Sequence, residues 1–217
     1  MSELWTIAGR TLAIGAAATL VQLPMAIAVG RWLARGRIPG RPLVQALVAL
    51  PMFMPPVAVG LLLLLLLGPS GPLGGVTGGL LYTEVAAVLA AAVVAFPIFV
   101  RHAQEAFEAV PVRLGQVSRS LGVSPWQTFW RVDIPLARRG LVAGGLLAFA
   151  RGIAEYGATA VVAGVIPGHT ETLSTGLMRR LMAGDDRGAA VIAGLSLVLG
   201  LVAVVVSEAY LRRGRRT

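Results

Sequence analysis

Arg151, Glu155 and Thr159 recur at i, i+4 and i+8 inside a run, 140–164, that is otherwise apolar. On a helix this spacing stacks the three on one face and lets guanidinium and carboxylate pair. A lone charge at mid-bilayer costs on the order of 2.5–3.5 kcal/mol on insertion scales, so such residues turn toward a bundle interior. The pair reads either as an ion pair that fixes helix orientation or as the border of an anion path. An arginine half-neutralised by a glutamate attracts an anion without trapping it, which such a path would require. Catalysis finds few reagents here. The chain has no cysteine, and all 19 of its basic residues are arginine. A thiolate nucleophile, a phosphate loop ending in Gly-Lys-Ser/Thr and a lysine Schiff base are therefore excluded. The two histidines, His102 and His169, fall on opposite sides of the predicted membrane layout, and no His-Glu-x-x-His occurs. Neither a metal site nor an intramembrane hydrolase is expected. Glu155 as the proton site of a secondary carrier is the rival from another class, and it predicts uptake by the lone chain driven by a proton gradient.

Three further groups carry chemistry of recognition rather than reaction. Ser124-Pro125-Trp126-Gln127 reads as a helix start. Ser124 caps, Pro125 suits the first helical position, and Gln127 completes a capping box. Trp126, Phe129 and Trp130 follow at spacings of three and four, gathering aromatics on one side of a short helix. Pro111 and Gly122 supply turns before it, and Pro135 is expected to stop the element ahead of the next apolar run. Such a helix either rests in the headgroup layer or fills a groove on a cytoplasmic partner. Pro51, Pro55 and Pro56 break the helical ladder around Met52, Phe53 and Met54, giving a packing kink or a hydrophobic gate. His169, Thr170 and Thr172 follow Pro167-Gly168 and read as an ordinary loop or as contacts for an external partner protein.

The elements that must position these residues are membrane helices. Of 217 residues, 56% are hydrophobic and 13% charged, against about a quarter charged in soluble proteins. Apolar runs at about 11–30, 43–67, 80–100, 140–164 and 188–210 are long enough to span a bilayer. The expected fold is all-α, a polytopic bundle of about five transmembrane helices in a single domain, 1–217. The first run is too long for a signal peptide's core. Fourteen arginines cluster in three places: Arg31, Arg35, Arg37 and Arg41; six in the loop 101–139; and Arg212, Arg213, Arg215 and Arg216. With five spans these share one side, which places the amino terminus outside and the carboxyl terminus in the cytoplasm. The net charge of +9 is thus a topology signal, and no nucleic-acid partner is expected.

Gly122, nine intervening residues and then Val132-Asp-Ile134-Pro135 resemble the EAA loop of ABC-importer permeases. Gln116-Val117-Ser118 stands where that pattern has Glu-Ala-Ala, and Val132 replaces the usual isoleucine. Leu50-Pro51, Pro55-Pro56-Val57, Gly60, Gly71-Pro72-Leu73-Gly74 and Phe96-Pro97 are similar to molybdate-type permeases. So are Leu121-Gly122-Val123-Ser124-Pro125-Trp126 and the run from Leu147 through Arg151, Glu155 and Thr159 to Leu173. Tyr156 and Val165 depart from the residues usual there. The resemblance covers about Pro51 to Leu173. It implies a type I importer permease of the prokaryotic plasma membrane that moves molybdate by alternating access; tungstate and sulfate/thiosulfate permeases share the framework. It also implies a second permease copy, two cytoplasmic ATP-binding subunits that hold ATP and Mg, and an external oxyanion-binding protein. Leu121 to Gln127, Phe129 and Pro135 would then form the loop that docks on the ATPase, and no cofactor would be held by this chain.

Overall fold

A computed structural model describes residues 2–36, 40–75 and 77–213, with side chains from 3 to 210 within those ranges. Arg37, Arg215 and Arg216, and the side chains of Arg212 and Arg213, lie outside the described residues. Those described are helical or in turns, with no strand among them. In chain order they form α1 (Ser2–Arg35), α2 (Arg41–Phe53), α3 (Pro56–Leu67), α4 (Glu84–Glu108), α5 (Val112–Ser120), α6 (Pro125–Thr128), a π-helical turn (Phe129–Asp133), α7 (Ile134–Ile153), α8 (Gly157–Val162), α9 (Leu173–Met182) and α10 (Asp186–Arg213).

Among the described residues, α1, α4 and α10 are each long and apolar enough to cross a membrane. The predicted run 43–67 is not one straight helix. It breaks between α2 and α3, which meet at 108°. Met54, just before Pro55, is extended at φ −85° and ψ 146°, as the bulk of a following proline demands. The predicted run 140–164 breaks as well, between α7 and α8. Arg138, Arg139 and Arg151 keep α7 out of the apolar class. Five crossings therefore require α2 with α3, and α7 with α8, each to act as one interrupted span.

The hub is α4. Its alanines 86, 87, 90, 91, 92 and 95 are buried, and α1 and α7 pack along it. Alanine on this helix and glycine on its neighbours let backbones approach closely, which is how helices associate where lipid is as apolar as leucine. Gly140, Gly144, Ala148 and Gly152, four residues apart along α7, face α4. A Cβ added at Gly140 would lie 2.6 Å from Cβ of Ala106, and one at Gly144 would lie 2.6 Å from Cβ of His102. Ala148 joins Phe99 and Val100 in the same core.

Candidate coupling loop and intramembrane ion pair

At one end of the bundle the chain leaves α4, turns at Pro111 into α5, and reverses through Gly122. Gly122 holds φ 77°, a left-handed conformation that glycine adopts without strain. Ser124 then opens α6. Its Oγ accepts from Gln127 N at 3.2 Å, and Gln127 Oε1 accepts from Ser124 N at 3.4 Å, so the predicted capping box is formed. Behind it Ser118 and Thr128 hydroxyls lie 3.0 Å apart and join α5 to α6. Trp126, Phe129 and Trp130 gather into one aromatic group with ring centroids 5.1–5.9 Å apart. Its outer part is bare: Leu121 is 77% and Trp126 68% exposed. Val123 is half-buried, and Phe129 packs inward against Phe107 and Ala137.

Pro135 does not stop this element. The helix continues from α6 through the π turn into α7, and Pro135 sits in the first turn of α7. Proline gives no N–H to the preceding turn, and the π turn shifts the register there: Ile134 N donates to the Phe129 carbonyl, five residues back.

The turn is also anchored by residues that periodicity did not single out. Asp133 is 5% exposed. Its Oδ2 accepts from Nε and Nη2 of Arg31 at 3.0 and 2.9 Å. Arg35 Nη2 lies 3.9 Å from Oδ1 and donates to the Val110 carbonyl at 2.9 Å. The Arg31 guanidinium also stacks on Phe129, 4.9 Å from the ring centroid. One signal was available: Asp133 is the sole acid between Glu108 and Glu155, amid arginines.

Arg151 and Glu155 do pair, Nη1 to Oε2 at 2.9 Å, with Glu155 3% exposed and Arg151 about a third exposed. The continuous stripe with Thr159 is not formed, because α7 ends at Ile153. Glu155 stands in the break, and its Oε1 accepts from Ala158 N at 2.9 Å, capping α8. Thr159, buried, belongs to α8. The break is set by packing on α3. A Cβ at Gly157 would meet Pro56 Cβ and Val57 N at 3.0 Å, and one at Gly60 would lie 2.8 Å from Cα of Ala158.

The other predicted groups divide. Phe53 is 82% exposed and Met52 is exposed, whereas Met54 packs into the core around Val59 and Ala158. The three do not form one cluster. At the end of the bundle opposite the loop, His169 is exposed, but Thr170 and Thr172 are buried. Thr170 Oγ1 donates to Gly164 O at 3.2 Å and accepts from Ile166 N at 3.1 Å. Thr172 caps α9 by accepting from Thr175 N at 3.3 Å. Both hydroxyls close local turns and present nothing to a docking protein. Arg10 ties the same end together, with Nε on Glu84 at 2.9 Å and Nη2 on the Gly168 carbonyl. Among the described residues no group of His, Asp and Glu could hold a metal ion.

The chain and its architecture have counterparts. Residues 22–217 match the model of the family described as "Binding-protein-dependent transport system inner membrane component". The molybdenum transport system permease protein ModB of Escherichia coli (strain K12) is 35% identical over 212 residues, covering 94% of this chain and 92% of its own. The sulfate transport system permease protein CysW of Synechocystis sp. is 34% identical over 194 residues, 86% of this chain and 69% of its own. Among solved structures, an inward-facing MetNI methionine ABC transporter superposes with a TM-score of 0.70 at 21% identity, over 99% of this chain and 94% of that one.

Proposed function

The chain belongs to the family of binding-protein-dependent transport system inner membrane components, and on that premise we propose that it is the membrane permease subunit of an ABC importer that carries molybdate inward. The match to the molybdenum permease extends over nearly the whole of both chains, which supports molybdate first, with sulfate as the second substrate. ATP, with Mg, is bound and hydrolysed by two separate cytoplasmic subunits, and an external oxyanion-binding protein delivers the anion. Two copies of this chain enclose the path, since one bundle centred on α4 keeps its glycine and alanine faces for its own helices. The arginine bias puts the loop end in the cytoplasm and the Arg10–Glu84 end outside.

The observation that carries the coupling role is the aromatic group on a capped turn, bare on its outer side yet anchored at its base. Exposed tryptophan in a soluble loop is the kind of residue that anchors a partner interface. When the ATPase pair closes, the loops are drawn together and the bundles exchange inward- and outward-open forms. Arg151 provides the path's positive potential, moderated by Glu155. With Glu155 engaged by Arg151 and by the Ala158 amide, its carboxylate is poorly placed as the mobile proton site of a secondary carrier. Met54, lodged at the α2–α3 break, is the inward-facing member of the gate group, and His169 is the member of the outer group available to the binding protein. Reconstitution with the ATPase and the binding protein tests the reading: ATP-dependent molybdate uptake is expected, and uptake by the lone chain driven by a proton gradient would overturn it.

A further inference from the structure

Displacement of the exposed loop reaches the bundle covalently at Pro111, after α4, and through the π turn, before α7. The π turn shifts the hydrogen bonding locally to i→i+5, a feature that occurs mostly as single-turn bulges at functional sites. It is held from outside. Arg31 grips both ends of the turn at once, stacking on Phe129, its first residue, and hydrogen-bonding Asp133, its last. Arg35, one helical turn further along α1, holds the loop's entry at the Val110 carbonyl. A carboxylate as buried as Asp133 requires a cation against it, so the contact is specific to these partners. α1 in turn lies tight on α4: a Cβ at Gly30 would sit 2.6 Å from Cβ of Ala103. Motion imposed on α1 at Arg31 is therefore passed to the hub.

We propose that the Arg31–Asp133 ion pair is a positioning device for transport, bracing the π turn so that the loop moves α1 and α7 together. This rests on the reading of the chain as an ATPase-driven permease. The test uses the complete complex of permease, ATPase and binding protein in proteoliposomes, and the readout is molybdate taken up per ATP hydrolysed. Asp133→Asn keeps the side-chain shape and removes the charge. Expected are normal co-purification with the ATPase, retained ATP hydrolysis, and uptake per ATP lower by about tenfold, within the usual span of coupling strengths. Asp133→Glu, which keeps the charge, is expected to restore most of the ratio, a rescue that a purely packing role would not produce because the longer side chain fits worse. Arg31→Gln with Asp133→Asn removes both charges of the pair and serves if the single variant fails to assemble; the same uncoupling is expected. Wild-type uptake per ATP in Asp133→Asn or in the double variant overturns the proposal. A wild-type complex that assembles and hydrolyses ATP but imports no oxyanion instead overturns the permease reading beneath it, so the two failures are distinct.

Discussion

Replacing Trp126 by alanine isolates the docking claim, because the residue's exposure lets its loss be felt at an interface and hardly at all in the fold. Trp126 is 68% exposed. An aromatic side chain offers roughly 150–250 Å² for burial, so on the order of 100–170 Å² of Trp126 is available to a partner. At about 25 cal/mol per Å², covering it fully is worth roughly 2.5–4 kcal/mol, a range in which interface anchors are found. That corresponds to a loss of about 60-fold to nearly 1,000-fold in affinity at 1.4 kcal/mol per decade. The ring's contacts with Phe129 and Trp130 are lost too, but those partners still hold each other, so permease stability should change by under about 1 kcal/mol. The assay is the equilibrium affinity of detergent-solubilised permease for the isolated ATPase, with thermal unfolding of each permease as the control. Trp126→Asp should be worse still, since a carboxylate would be driven into an apolar groove. An affinity within threefold of wild type for both variants, with folding intact, would refute the assignment of this turn as the anchor.

Gly144→Val places a branched side chain where even a Cβ sits 2.6 Å from that of His102; a loss of about 1–3 kcal/mol is expected from overpacking, seen as a lower Tm in detergent. Arg151→Gln should cut uptake about tenfold or more while the complex assembles, because it strands the buried Glu155 carboxylate and removes the positive charge proposed for the path; full uptake would end the pathway role. His169→Ala should leave Tm unchanged and weaken stimulation of ATP hydrolysis by the binding protein. Thr170→Ala should do the reverse, lowering stability by about 1–2 kcal/mol through the two hydrogen bonds it loses.

Local chemistry explains which expectations came true. The capping box at Ser124 and Gln127 closes over three residues, so adjacent side chains suffice to specify it. Departures arose where distant residues intervene. Periodicity ran Arg151, Glu155 and Thr159 along one helix, but close packing of Gly157 and Gly60 between α8 and α3 breaks it and turns Glu155 into a cap. Thr170 and Thr172 looked available because hydroxyls in a loop often are; backbone groups of the same turns claim them.

The amino-acid order by itself determined that this protein lives in a bilayer and that a capped turn gathers aromatics on one side of a short helix. Each of those is a matter of composition or of neighbours within one or two helical turns. Only the tertiary structure decided that Asp133 answers to Arg31, 102 residues earlier, and that the apolar runs 43–67 and 140–164 are each broken into two helices. Hydropathy records how much a residue avoids water, whereas a buried charge pairs with whichever opposite charge the folded backbone brings within reach.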